Sequence, residues 1–169
     1  MCLSVNNQEK IKEILTNKKM KLSVGESCTG GLISSYLTDV DGASNFIEIN
    51  FVTYSEEAKQ NFLFVPKNII EKFGVVSFET AKYMAKGLLK YSDFSISTTG
   101  YASSNNGDKI NSKGTVYFAF GHKENIKVSK YISDKTERIE IKKDMTEHIL
   151  SQFVDFVKEE LTVKKTVLK

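Results

Sequence analysis

Val24-Gly25-Glu26-Ser27-Cys28-Thr29-Gly30-Gly31-Leu32 is the stretch whose reading decides the fold. An apolar run, Leu22 to Val24, leads into it, and a helical pattern, Leu32 to Leu37, leads out. A strand that ends in such a turn presents small polar side chains at the carboxyl edge of a sheet. The following helix directs its free N–H groups into the same space. Gly30 and Gly31 carry no Cβ, so a ligand can approach the backbone closely. The expectation is a phosphate or oxyanion site with a hydroxyl nucleophile beside it. The sequence is neither a Walker loop nor a Gly-x-Gly-x-x-Gly fingerprint. A plain helix cap by Ser27 or Thr29 accounts for the same residues equally well.

Outward from that turn, strands and helices alternate. An amphipathic helix is expected over 8–17, a strand over 21–26 and a helix over 29–38. A half-covered strand follows from Phe46 to Tyr54, where Ile47, Ile49 and Phe51 alternate with Glu48, Asn50 and Val52. Ser55 caps a short helix with Glu56 and Glu57 in its first turn. Pro66 opens another helix, which Gly74 ends. Ser77 caps a longer one, burying Ala81, Met84, Ala85, Leu88 and Leu89. Phe94 to Thr98 forms a third strand, and residues 101–113 a long polar loop. Thr115 to Phe120 and Lys127 to Ile132 make a hairpin through residues 121–125. The last helix runs from about Lys142 to Leu161, burying Met145, Ile149, Phe153, Phe156 and Val157. This order gives a single α/β domain over 1–169, core about 8–161 and tail 162–169. Its architecture is a layered α/β/α sandwich with a mixed, mainly parallel sheet.

The composition narrows the function. The chain has 169 residues, enough for one full core. With 24 basic against 21 acidic residues its net charge is +3, too slight to argue for nucleic acid. Two cysteines, Cys2 and Cys28, make no disulfide framework and lack metal spacing. No leader pattern and no apolar run of membrane length is present, so a soluble cytoplasmic protein is expected. An open sheet edge in a compact α/β domain favours a homodimer or higher homo-oligomer.

A serine nucleophile needs a base. His122 falls in the expected hairpin loop and His148 in mid-helix, neither placed for a triad. Tyr54 and Lys59 are the better pair: Tyr54 ends a strand, and Lys59 lies on the helix face of the capping Ser55, four residues on. An ordinary solvated lysine is the alternative. Arg138, the one arginine in the chain, suits a phosphate or carboxylate, or an ion pair with Glu137 or Glu140. Cys28, near a helix N-terminus, is either a nucleophile or a thiol packed in the turn.

Gly25-Glu26-Ser27-Cys28-Thr29-Gly30-Gly31-Leu32 closely resembles the signature of the CinA C-terminal domain family. The likeness continues through Asp41-Gly42-Ala43-Ser44, Val52 to Lys59, Phe73 to Ser77, Met84 to Gly87, Thr98-Thr99-Gly100 and Gly114-Thr115-Val116, in order over roughly residues 8–160. The resemblance implies hydrolysis of the carboxamide of nicotinamide mononucleotide, giving nicotinate mononucleotide and ammonia, with no metal or cofactor. It implies Ser27 as nucleophile with Tyr54 and Lys59 as acid/base and activating groups. Glu26, Thr29, Gly30, Gly31, Ser44, Thr99, Gly100 and Arg138 would surround the nucleotide substrate. Two departures stand out. Where the family reads Ile-Ala-Gly-Pro and further glycines, this chain has Tyr101-Ala102-Ser103-Ser104-Asn105-Asn106-Gly107. A second family arginine appears as Lys142, which keeps the charge but loses the fork. These departures motivate the alternative of a silent or substrate-shifted member that binds a nucleotide or a protein partner.

Overall fold

The computed structural model describes residues 5–104 and 107–162, the side chains of Val5 and Asn6 excepted. Cys2, Asn105, Asn106 and the expected tail from residue 163 lie outside the described residues. Helix α1 (Val5–Asn17) precedes strand β1 (Leu22–Glu26) and helix α2 (Leu32–Thr38). A 3-10 turn (Ala43–Asn45) leads to β2 (Ile47–Val52), followed by α3 (Glu56–Leu63), α4 (Lys67–Phe73) and α5 (Phe78–Leu88). Strands β3 (Phe94–Gly100), β4 (Thr115–His122) and β5 (Asn125–Ile132) and helix α6 (Arg138–Thr162) complete the order.

The strands form one mixed sheet in the order β2-β1-β3-β4-β5. β1 pairs in parallel with β2 and β3, and β3-β4 and β4-β5 are antiparallel. The carboxyl ends of β2, β1 and β3 therefore share one edge, the usual place for a ligand in an α/β sheet. On one face, Leu22, Val24, Ile96, Phe118 and Phe120 pack against Ile11 and Leu15 of α1 and against Met145, Ile149, Phe153 and Phe156 of α6. On the other face lie α3, α4 and α5, with Leu63, Ile70, Met84 and Leu88 in a second cluster. The period-2 and period-3.6 patterns in the sequence correspond to these two apolar layers.

Small residues let α5 press closely on the sheet. Ser95 and Ser97 of β3 donate their hydroxyls to the Ala85 and Ala81 carbonyls, at 2.9 and 2.7 Å. Thr99 donates to the Val75 carbonyl at 2.7 Å. A Cβ on Gly87 would lie 1.9 Å from the Leu63 carbonyl oxygen, so α5 and α3 touch backbone to backbone.

Several boundaries differ from the sequence expectation, among them the start of α1, at Val5 rather than 8, and the end of β3, at Gly100 rather than Thr98. Helix α2 starts at Leu32 rather than 29, because Thr29, Gly30 and Gly31 form the turn itself. β4 and β5 are longer than expected, and His122 lies in β4, paired with Asn125 across a two-residue turn. Its ring stacks on Phe94 with centroids 4.1 Å apart, and Nδ1 lies 2.9 Å from the Asp93 carbonyl oxygen. α6 begins one turn early, at Arg138, so the arginine expected in the segment before the last helix opens that helix instead.

Candidate active site

Lys59 Nζ lies 3.1 Å from Ser27 Oγ and donates to the Thr53 carbonyl at 2.7 Å. Each element contributes to this. Ser55 caps α3 by accepting the Ala58 N–H at 3.0 Å, which fixes the helix start just beyond β2. The Thr53 N–H donates to the Glu26 carbonyl at 2.8 Å, holding the end of β2 against that of β1. Lys59 then reaches inward beneath the Ser27 turn and is 0% exposed. Burial pulls its ammonium down from the ordinary 10.5 to about 8. Among the described residues no carboxylate lies within ion-pair distance of it, and the more distant Glu56 only partly offsets the burial. A lysine in this state supplies a neutral amine that can accept the serine proton.

The turn around Ser27 is rigid for a reason that corrects the sequence reading. Glu26 is fully buried, and its carboxylate already accepts five hydrogen bonds. One oxygen takes the Thr29 hydroxyl at 2.6 Å and the N–H groups of Gly31 and Ile33 at 3.0 and 3.1 Å. The other takes the Ser34 N–H and hydroxyl at 2.8 and 2.6 Å. Glu26 thus saturates the N-terminus of α2 and has no room for substrate. The expected open anion site at that helix end is filled from within. Gly30 and Gly31 adopt φ of 62° and 92°, conformations that favour glycine, and the Gly30 N–H turns back to the Ser27 carbonyl at 3.0 Å. The N–H groups of Cys28 and Thr29 lie near the Cys28 sulfur and slightly offset the effect of burial on its thiol.

Thr29 and Thr99, both named as substrate contacts by resemblance, are spent internally. Thr29 is fully buried between Glu26 and the Thr98 hydroxyl, 3.0 Å away. Thr99 lies on the opposite side of the sheet from Thr98 and donates to the Val75 carbonyl, ahead of α5. Thr98 is the residue that sequence reasoning missed: its Oγ1 accepts the Ser27 N–H at 3.4 Å. Strand alternation through Thr98-Thr99-Gly100 was the available signal. Gly100 lies under the turn, where a Cβ would meet the Thr115 carbonyl oxygen at 2.3 Å and the Cys28 sulfur at 3.1 Å. Cys28 itself is buried, and burial pushes its thiol up to about 12, so it is a packed thiol rather than a nucleophile.

Ser44 is not brought to this edge. It sits in the 3-10 turn before β2, its carbonyl accepting from Lys21 Nζ at 2.8 Å at the start of β1. At roughly 3.3 Å of rise per residue, the whole of β1 separates it from Ser27. His122 and His148 are also remote from Lys59. His148 stacks on Tyr131 at 3.9 Å, and burial lowers its pKa.

Tyr54 is 62% exposed and bonded to Arg138 rather than to Ser27 or Lys59. Arg138 Nη2 donates to the tyrosine hydroxyl at 2.9 Å, and Nη1 donates to Ser103 Oγ at 2.7 Å. Tyr54 follows β2 and Ser103 follows β3, so this bridge spans the end of β1, which lies between them. The expected ion pair of Arg138 with Glu137 or Glu140 is not formed; Glu140 pairs with Lys143 at 3.3 Å. One helical turn on, Lys142 Nζ lies 3.2 Å from where a Cβ on Gly30 would stand. Glu137, Arg138, Ile139 and Lys142 line a cleft of about 350 Å³ at this edge.

Comparisons with known proteins agree with this architecture. Residues 5–157 match the profile of the CinA C-terminal domain. A putative competence-damage inducible protein of Caldicellulosiruptor bescii is 43% identical over 121 residues, covering 70% of this chain and 29% of the relative. A CinA-like protein of Prochlorococcus marinus is 40% identical over 149 residues, covering 85% of this chain and 34% of the relative. The chain thus spans about a third or less of the length of these relatives. A CinA superfamily protein of Escherichia coli superposes with a TM-score of 0.84 at 27% identity, covering 89% of this chain and 88% of that one. Ser27 sits on the Glu-Ser-Cys-Thr-Gly-Gly turn with Lys59 reaching it from α3, in a fold and a sequence shared over nearly the whole described length, and the chain belongs to the CinA C-terminal domain family.

Proposed function

We propose that this protein is an amidohydrolase that removes ammonia from the carboxamide of nicotinamide mononucleotide, with Ser27 as nucleophile and Lys59 as its base. The observation that carries this reading is the 3.1 Å contact of Lys59 Nζ with Ser27 Oγ, made by a lysine that is fully buried with no carboxylate in ion-pair distance among the described residues. The neutral Lys59 amine takes the Ser27 proton as Oγ attacks the carboxamide carbon. The Thr53 carbonyl holds one amine N–H, which leaves the nitrogen lone pair for Ser27. The lysine ammonium then returns the proton to the departing nitrogen, and ammonia leaves. Water attacks the resulting ester and loses a proton to Lys59, which passes it to Ser27 Oγ as the ester C–O bond breaks, and the acid product leaves as its carboxylate. The N–H groups of Cys28 and Thr29, which among the described residues meet only the weakly accepting Cys28 sulfur, serve as oxyanion donors, since those of Ser27, Gly30 and Gly31 are committed to stronger acceptors.

Arg138 and Lys142 put two positive charges at the rim and suit the nucleotide phosphate. Tyr54, bonded to Arg138, takes part in placing the substrate, and proton transfer rests with Lys59 alone. The test is ammonia release from nicotinamide mononucleotide. Wild-type protein is expected to release ammonia, and Ser27→Ala to lose about a thousandfold or more of that rate while keeping its thermal unfolding midpoint. Turnover retained in Ser27→Ala would remove Ser27 from the nucleophile role.

A further inference from the structure

The guanidinium of Arg138 is held by two neutral hydroxyls and, among the described residues, by no carboxylate. Each Nη donates one N–H, to Tyr54 Oη at 2.9 Å and to Ser103 Oγ at 2.7 Å. An arginine has five such donors, so three remain. A hydroxyl that accepts from a cation keeps its own proton to donate, and is polarised toward doing so. Tyr54, Arg138 and Ser103 therefore form a row of donors across the end of β1 with no acceptor among the described residues. Lys142, half-buried over Gly30, adds a second positive charge and has no acidic partner among the described residues. Glu137 also lines this cleft, but two cations and a row of donors outweigh its one charge and match a negatively charged group with several acceptor oxygens, such as a phosphate monoester. A carboxylate or a neutral sugar would leave part of the row unmet.

We infer that Ser103 is a specificity-determining residue: it fixes the Arg138 fork over the Ser27 turn and donates its own hydroxyl to the terminal phosphate of the substrate. This rests on reading the pocket as a nucleotide site, and it names the residue that reads the phosphate there. Ser103 belongs to the 101–107 stretch in which this chain departs from the family pattern. A side-chain hydroxyl there does the work that backbone N–H groups of a glycine-rich loop would otherwise do.

The test is calorimetric titration of Ser27→Ala and of Ser27→Ala/Ser103→Ala with three ligands: nicotinamide mononucleotide, nicotinamide riboside and inorganic phosphate. Loss of the Ser103 hydroxyl is expected to weaken the mononucleotide and inorganic phosphate about tenfold. The riboside, which lacks the phosphate, should change less than about twofold. Ser103→Thr, which keeps the hydroxyl, should restore the mononucleotide. Equal weakening of mononucleotide and riboside, or none for the mononucleotide, overturns the assignment. If the mononucleotide and the riboside both fail to bind while inorganic phosphate binds in a Ser103-dependent way, the amidase reading falls and the phosphate role of Ser103 stands. Failure of phosphate to bind at all overturns Ser103 as well.

Discussion

Lys59 is the residue on which the chemistry turns, and its state has a consequence for stability. Its native pKa is about 8 against 10.5 in an unfolded chain. Below pH 8 both forms are charged and the folded protein bears the full cost of burying the ammonium. Between pH 8 and 10.5 the unfolded chain binds the extra proton, so this contribution makes stability rise with pH, and above 10.5 the cost is gone. The gap corresponds to about 3 kcal/mol. Unfolding by denaturant should show wild type gaining about 3 kcal/mol relative to Lys59→Met across that window. Parallel curves for the two proteins would mean that Lys59 stays charged when folded. The sequence marks Lys59 by its place after the Ser55 cap, but not its burial, because twenty-two other lysines share its chemistry. What separates it is the inward face of α3 and the Thr53 carbonyl beneath it, both set by tertiary packing.

At the scale of elements, the Glu26–α2 junction shapes the site. A carboxylate that accepts three N–H groups and two hydroxyls replaces water at the helix start. Glu26→Gln turns one acceptor into a donor facing N–H groups, and should cost about 3 kcal/mol of unfolding free energy. A loss below about 0.5 kcal/mol would contradict the cap. The strands and helices were legible in the sequence, because apolar period and capping residues are local. Direction was less legible. Glu26, Thr29 and Thr99 look like ligand contacts at a strand end, yet each turns toward a neighbouring backbone or hydroxyl. The parity of β3, which puts Thr98 in the turn and Thr99 on the opposite side of the sheet, was readable in principle from alternation. His122 entered β4 rather than a loop because its ring stacks on Phe94, a contact between residues 28 apart in the chain.

Across the whole molecule, strand order assembles the site. Placing β1 between β2 and β3 gathers Ser27, Lys59 and the Tyr54–Arg138–Ser103 bridge at one edge, from four separate regions of the chain. No periodicity or spacing reveals that order, so Ser44, close to the signature in sequence, falls at the far end of the sheet. Family membership settles the architecture, and no helix among the described residues is long and apolar enough to cross a membrane. The reaction rests on the serine–lysine pair, and the most direct measurement is the pH dependence of kcat/KM for ammonia release from nicotinamide mononucleotide. With Lys59 as base, about a tenth of the enzyme is competent at pH 7. The profile should climb tenfold per pH unit below about 8 and level off above it, and Lys59→Gln should abolish the activity. A flat profile between pH 6 and 10, with activity kept in Lys59→Gln, would contradict a lysine-activated serine.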